Sequence, residues 1–202
     1  MPQRVGVFGG SFDPVHLGHL IVAEHCREQC GLDRVLFVPA ARPPHKPTQT
    51  LTDGRHRLEM IKLAIAGNEA FDASELELKR EGPSYTVDTL EALQQNFPQA
   101  ELYLLMGADM LMDFPTWRAP QRILELARIA VCNRPGVAVD LESGGPLQFM
   151  QLLRRRLVHV AIPQVGISAT EIRGRIRSGR SIRYLVPRAV ECYILENCLY
   201  RS

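Results

Sequence analysis

The sequence predicts an α/β fold: a doubly wound, mainly parallel sheet with helices on both faces and a C-terminal helical segment. Three observations predict it. Short apolar runs alternate with amphipathic segments along the chain. The best of those runs, such as LYLL, are continuously apolar, as expected of strands buried on both faces. Glycine or proline punctuates many of the junctions.

In order, QRVGVF (3–8) is a strand that ends in glycines. LIVAEHCREQ (20–29) has helical periodicity and stops at Gly31. RVLFVP (34–39) is a second strand, followed by the proline-rich AARPPHKPTQT. GRHRLEMIKLAIAG (54–67) is helical, with Leu58, Ile61, Leu63 and Ile65 apolar and Gly67 closing it. ASELEL alternates and reads as an edge strand. VDTLEALQQNF (87–97) is a helix closed by Pro98, and ELYLLM (101–106) is the most buried of the strands. RILELA (122–127) is a short helix, ARIAVCN (127–133) a strand, GGPLQFMQLLRRR a helix and LVHVAIP (157–163) a strand. Two helices follow, from about Ala169 to Ser178 and from about Pro187 to Cys198. Strands separated by helices imply βαβ crossovers, a Rossmann-like arrangement.

The 202 residues suit one domain over 1–202, with its helical part from about residue 168. A formal net charge of +2 gives no broad case for nucleic acid or membrane binding, and the runs RRR and RGRIRSGR read first as solvated faces. Five cysteines without a C-x-x-C pair point to free thiols in a reducing cytosol. No signal-length or membrane-length apolar run is present, so the expectation is a cytoplasmic protein.

Open parallel sheets bind ligands outside the carboxyl ends of their strands. The segments to read are therefore GGSFDPVHLGH, AARPPHK, MGAD, CNRPG and PQVGISATEIR. In the first, Gly9 and Gly10 allow a sharp turn, and Asp13-Pro14 resembles an N-cap and first helical residue. His16 and His19 would then share a face at a helix N-terminus, where amide N–H groups and the helix dipole attract phosphate. The pattern lacks the Gly-Lys-Ser/Thr of a P-loop, the G-x-G-x-x-G of dinucleotide folds and a third ligand for zinc. Ser168-Ala-Thr-Glu171 is a capping box, and with Arg173 one turn on, Ser168 and Thr170 make a second anion site. His45 and Lys46 sit in a proline-held loop suited to touching phosphate. Gly107 and Asp109 end a strand where an acidic group can meet a ribose hydroxyl. Trp117 offers a flat face for an aromatic ring, Ser84, Tyr85 and Thr86 offer hydroxyls and amides, and Asn133 and Arg134 follow the fifth strand.

These residues carry a family resemblance. GGSFDPVHLGH is similar to the nucleotidyltransferase signature G-x-F-x-P-x-H-x-G-H, filled by Gly10, Phe12, Pro14, His16, Gly18 and His19. ISATEIR resembles the second signature, I-S-S-T-x-I-R, with Ala169 where a second serine is common. The ordered set with PPHK, SYTVDTL, MGADM, the tryptophan and CNRPG resembles the bacterial nicotinate-nucleotide adenylyltransferase family over nearly the whole chain.

The resemblance implies that the 5′-phosphate of nicotinate mononucleotide attacks the α-phosphorus of ATP, with Mg2+ carried on the ATP phosphates and no covalent intermediate. It further implies that His16, His19, Arg173 and Lys46 act on phosphates. ATP would also meet Gly9, Gly10, Ser11, Phe12, Gly107, Asp109, Ile167, Ser168 and Thr170. The nicotinate nucleotide would meet Ser11, His45, Lys46, Tyr85, Thr86, Trp117, Asn133 and Arg134. No protein-held metal is implied, and a homo-oligomer is left open. Rival readings are another adenylyl- or cytidylyltransferase of the superfamily, such as the phosphopantetheine enzyme, and a catalytically silent nucleotide-binding regulator. A basic RNA-binding domain lacks interleaved aromatics.

Overall fold

The computed structural model describes residues 2–44, 51–133 and 147–201. Its strands are β1 (Arg4–Gly10), β2 (Arg34–Pro39), β3 (Phe71–Ala73), β4 (Glu101–Gly107), β5 (Ala127–Asn133) and β6 (Leu157–Ala161). Its helices are α1 (Leu17–Cys30), α2 (Gly54–Ile65), α3 (Thr86–Asn96), α4 (Ala108–Asp113), α5 (Pro120–Leu126), α6 (Leu147–Arg156), α7 (Ala169–Arg177) and α8 (Arg188–Glu196). A 3-10 turn at Phe114–Thr116 links α4 to α5.

The strands form one sheet in the order β3-β2-β1-β4-β5-β6, and every adjacent pair is parallel. The Rossmann-like expectation therefore holds. Alternation along the strands explains the two-sided burial. On β4, Leu102, Leu104 and Met106 enter one core cluster with Leu90 and Ile123, whereas Tyr103 and Leu105 enter the other with Ala23, Ile61 and Ile194. Each face thus takes every second side chain, and a strand covered on both sides must be apolar throughout.

β1 lies in the middle of the sheet, with β2 on one side and β4 on the other. The chain winds outward from β1 to β3, then returns to start β4 and winds the other way. That reversal separates the connections leaving β1 and β4 and opens a crevice between them.

Three details differ from the sequence reading. ASELEL is not a strand. β3 is Phe71–Ala73, its last ladder bond runs from Ser74 N–H to Phe37 O, and the chain then turns with Lys79 N–H on Glu75 O. The cause is Glu77, which is buried and accepts from the Thr89 hydroxyl at 2.6 Å. α4 was not expected and completes the chain's turn after β4. Asp13 is no N-cap: α1 begins at Leu17 with His16 as its N-cap, and the Asp13–Pro14 peptide is cis. The Asp13 carboxylate is engaged elsewhere, by Tyr200 and the Thr52 amide.

Among the described residues the cysteines are free. Cys26 and Cys132 lie 3.3 Å apart in the core, and their mutual contact, followed by burial, raises the Cys26 thiol far above its ordinary range. Burial also pushes Cys30 up to about 11. Cys26 and Cys30 are therefore protonated and behave as packing groups.

Leu90 on α3 is fully buried in the cluster over β1 and β4. Leu90→Ala should cost about 2–5 kcal/mol, read as a lower midpoint in urea denaturation.

Candidate active site

At the carboxyl ends of β1, β2 and β4 lies a cleft of about 350 Å³. That size suits a small-molecule site. Gly9, Gly10, Ser11, Phe12 and His19 line it from the first signature, and Tyr85, Thr86 and Trp117 from the opposite wall. Trp117 is half-buried and packs edge-on against Phe114, with ring centroids 5.5 Å apart. The Arg118 guanidinium sits 4.6 Å over the Tyr85 ring and also meets Asp88.

The first signature is built by close contact. Phe12 adopts a left-handed backbone (φ 46°), a conformation that costs a non-glycine residue roughly 1–2 kcal/mol. Its ring then folds back over Gly10, where a Cβ would lie 3.1 Å from the ring. At Gly18 a Cβ would lie 3.1 Å from the His16 ring. At both glycines a side chain would crowd a ring. Phe12 in turn packs edge-on against His19, centroids 5.0 Å apart.

His16 and His19 stack, with centroids 3.7 Å apart and planes 26° apart. His16 precedes the helix, so the pair does not share a helical face; its N–H instead donates to His19 Nδ1 at 3.2 Å. Burial lowers the His16 pKa to about 4. Burial, and then the neighbouring His16, holds His19 well below the ordinary imidazole value. Both rings are neutral near pH 7 without a ligand. His16 Nδ1 is buried without a partner among the described residues. A polar atom so placed costs free energy and is tolerated at sites completed by a ligand. The helix end is not wide open, because Leu17 N–H already donates to Leu185 O at 3.0 Å.

The last signature meets the first. Arg173 Nη1 donates to Asp13 O at 2.6 Å, and its Nη2 reaches Thr170 Oγ1 at 3.4 Å. Ser168 is the N-cap of α7 and accepts from Glu171 N–H at 3.2 Å, so the capping half of the expected box is present, while the Glu171 carboxylate pairs with Arg175. Ser168 and Thr170 are exposed, Ile167 and Arg173 half-buried. Gly107 and Asp109 stand at the end of β4 outside the cleft lining, with Asp109 exposed and Met110 supplying the wall. Asn133 ends β5 and is buried away from the cleft lining. His45, Lys46 and Arg134 lie outside the described residues.

Sequence reasoning missed several groups here. Arg57 is almost fully buried and donates to Ser11 O at 2.9 Å and Thr52 O at 2.7 Å. Burial lowers its pKa, opposed by the nearby Asp13 charge. Its signal was available: Arg57, Ile61 and Ile65 fall four apart on the buried stripe of α2. Glu77 was also missed. It lines the cleft, burial raises its pKa, and its hydrogen bonds to Thr89 and Ser84 oppose that rise. Ser84 Oγ accepts from Ala41 and Arg42 N–H, which fixes the start of the loop after β2. Asp13 and Tyr200 gave no sign, being 187 residues apart in sequence.

The chain matches the cytidylyltransferase-like family model over residues 7–175. A protein of Thermomicrobium roseum named a probable nicotinate-nucleotide adenylyltransferase is 48% identical over 99% of this chain and 92% of its own length. A Thermus thermophilus protein of the same name is 49% identical over 98% of this chain and all of its own. The fold is similar to that of Plasmodium falciparum nicotinic acid mononucleotide adenylyltransferase complexed with NaAD. The TM-score is 0.78 at 19% identity, covering 98% of this chain and 97% of that one. With a family model over most of its length and relatives near half identical end to end, this chain belongs to the cytidylyltransferase-like family, among the nicotinate-nucleotide adenylyltransferases.

Proposed function

We propose that this chain transfers the adenylyl group of ATP to nicotinate mononucleotide, forming nicotinate adenine dinucleotide and pyrophosphate in NAD biosynthesis. The observation that carries this reading is the 2.6 Å bond from Arg173 to Asp13 O. It draws the guanidinium to the loop that bears the stacked histidines, beside a cleft walled by Trp117 and Tyr85.

A phosphate oxygen of the mononucleotide attacks the α-phosphorus of ATP. The new P–O bond forms as the bond to the bridging oxygen of the β-phosphate breaks, and pyrophosphate leaves with that electron pair. The attacking oxygen is already anionic, so no general base is required. Catalysis is placement of the two phosphates and stabilisation of charge on their oxygens. His16 and His19 hold the reacting phosphates of ATP. Arg173, Ser168 and Thr170 hold the β,γ portion, Ile167 lies beside them, and Lys46 and His45 assist from their loop. Gly9, Gly10, Ser11 and Phe12 give the backbone that ATP approaches, with Gly107 and Asp109 on the adenosine side. Trp117 stacks on the pyridine ring, Tyr85 and Thr86 face its carboxylate, Ser11 contacts the mononucleotide, and Arg134 completes its surroundings, with Asn133 standing behind the cleft lining.

Mg2+ would arrive on the triphosphate, where it neutralises charge on the leaving pyrophosphate. The cleft's own donors suit phosphate oxygens: imidazole N–H, guanidinium and hydroxyl. Among the described residues no group of three or more His, Cys, Asp or Glu is arranged to hold an ion. The chain is read as one domain acting in the cytoplasm, in keeping with its free cysteines. A homo-oligomer is compatible with this reading.

Pyrophosphate release with ATP should be about 100-fold faster, as kcat/KM, with nicotinate than with nicotinamide mononucleotide, because the wall is read as meeting a carboxylate. Equal use of the amide overturns the substrate. His19→Ala should lower kcat by about 10²–10³ with an unchanged circular dichroism spectrum.

Protonation provides a further check. The His16 pKa is lowered from 6.5 to about 4, so between those values the unfolded chain binds a proton that the native state refuses. Stability of the unliganded protein should therefore fall as pH drops from 6.5 toward 4, and His16→Asn should flatten that slope in denaturant titrations. Triphosphate favours the charged imidazole, so ATP binding near pH 6 should take up protons, seen as a calorimetric enthalpy that varies with buffer.

A further inference from the structure

We infer that Asp13 and Tyr200 are positioning residues that set the direction of Arg173 and hence the grip on the triphosphate. This rests on the adenylyl-transfer reading for what Arg173 holds. Asp13 is nearly buried, and segments remote in sequence converge on it. Tyr200 Oη donates to Oδ1 at 2.6 Å, and Thr52 N–H donates to Oδ2 at 3.3 Å. Arg173 donates to its carbonyl oxygen at 2.6 Å. The carboxylate anchors the residue, and the anchored carbonyl aims the guanidinium. The other described hydrogen bond of Arg173, to Thr170 Oγ1, is 3.4 Å long and too weak to aim it alone.

Arg57 holds the same loop from beneath through Ser11 O, and through Thr52 O it fixes the amide that meets Asp13. Tyr200 stays a donor across the working pH range, because burial and the adjacent Asp13 charge raise its pKa. The phenol also occupies the carboxylate. Without it, one Asp13 oxygen loses its donor close to a guanidinium already bound to the same residue.

The effect should appear on ATP and not on the acceptor, because Arg173 lies on the triphosphate side. In Tyr200→Phe, which keeps the ring and removes the hydroxyl, the Kd for the α,β-methylene analogue of ATP with Mg2+ should rise about ten-fold by calorimetry. The Kd for nicotinate mononucleotide should stay within two-fold of that of the unsubstituted chain, a margin about the size of calorimetric error. Asp13→Asn removes the charge, keeps the shape and should move the same Kd in the same direction, so it serves if Tyr200→Phe does not fold. Both are measured well below each variant's Tm. A purely structural role would lower Tm and leave both dissociation constants unchanged, and that result overturns the inference. Turnover of the unsubstituted chain with nicotinate mononucleotide tests the underlying reading separately. If it is absent while the analogue's Kd still shifts, the acceptor is wrong and the positioning role stands.

Discussion

Two imidazole rings in contact, 3.7 Å between centroids, set the terms for the rest of the site. Side by side, both cannot be charged cheaply, and burial already favours the neutral form of each. Without a ligand both are therefore uncharged near neutral pH. Holding them so requires the surrounding sequence: Gly18 leaves room for the His16 ring, Gly10 for Phe12, and Phe12 accepts a costly backbone angle to cover His19. Such strain persists where neighbouring contacts over-determine it.

The sheet explains why so many distant segments reach this point. With the first strand in the middle, the connections leaving β1 and β4 part company and leave a cleft whose floor is backbone. α3 brings Tyr85 and Thr86 from one side, while α1 and α7 bring the histidines and arginine from the other. The aromatic wall and the wall that bears the histidines are thus separate constructions on one frame, which suits the proposed substrate with its flat ring and its phosphate.

How much of this the chain disclosed depends on the range of the interaction. Fully buried strands such as Leu102–Met106 are legible because two-sided burial leaves few polar positions, and α2 and α3 are legible from their apolar stripes, α2 also from its Asp53 cap. ASELEL misled because its alternation places Glu77 inward, and a buried carboxylate ended the strand to reach Thr89. Asp13 misled in the opposite sense. Its neighbour and spacing suit a helix cap, but a stronger partner, Tyr200, arrives from far along the chain. Residue pairs that face one ligand leave a pattern in sequence, while pairs that face each other across the fold leave none. That is why His16, His19 and Arg173 could be proposed in advance and Tyr200 could not, while Arg57 showed only as a charged member of the buried stripe of α2.

The bond between residues 13 and 200 also bears on the order of folding. It joins groups 187 residues apart, and contacts of such separation must meet a large loss of chain entropy before they form. Asp13 therefore gains its phenol donor only once the strands that lie between have assembled.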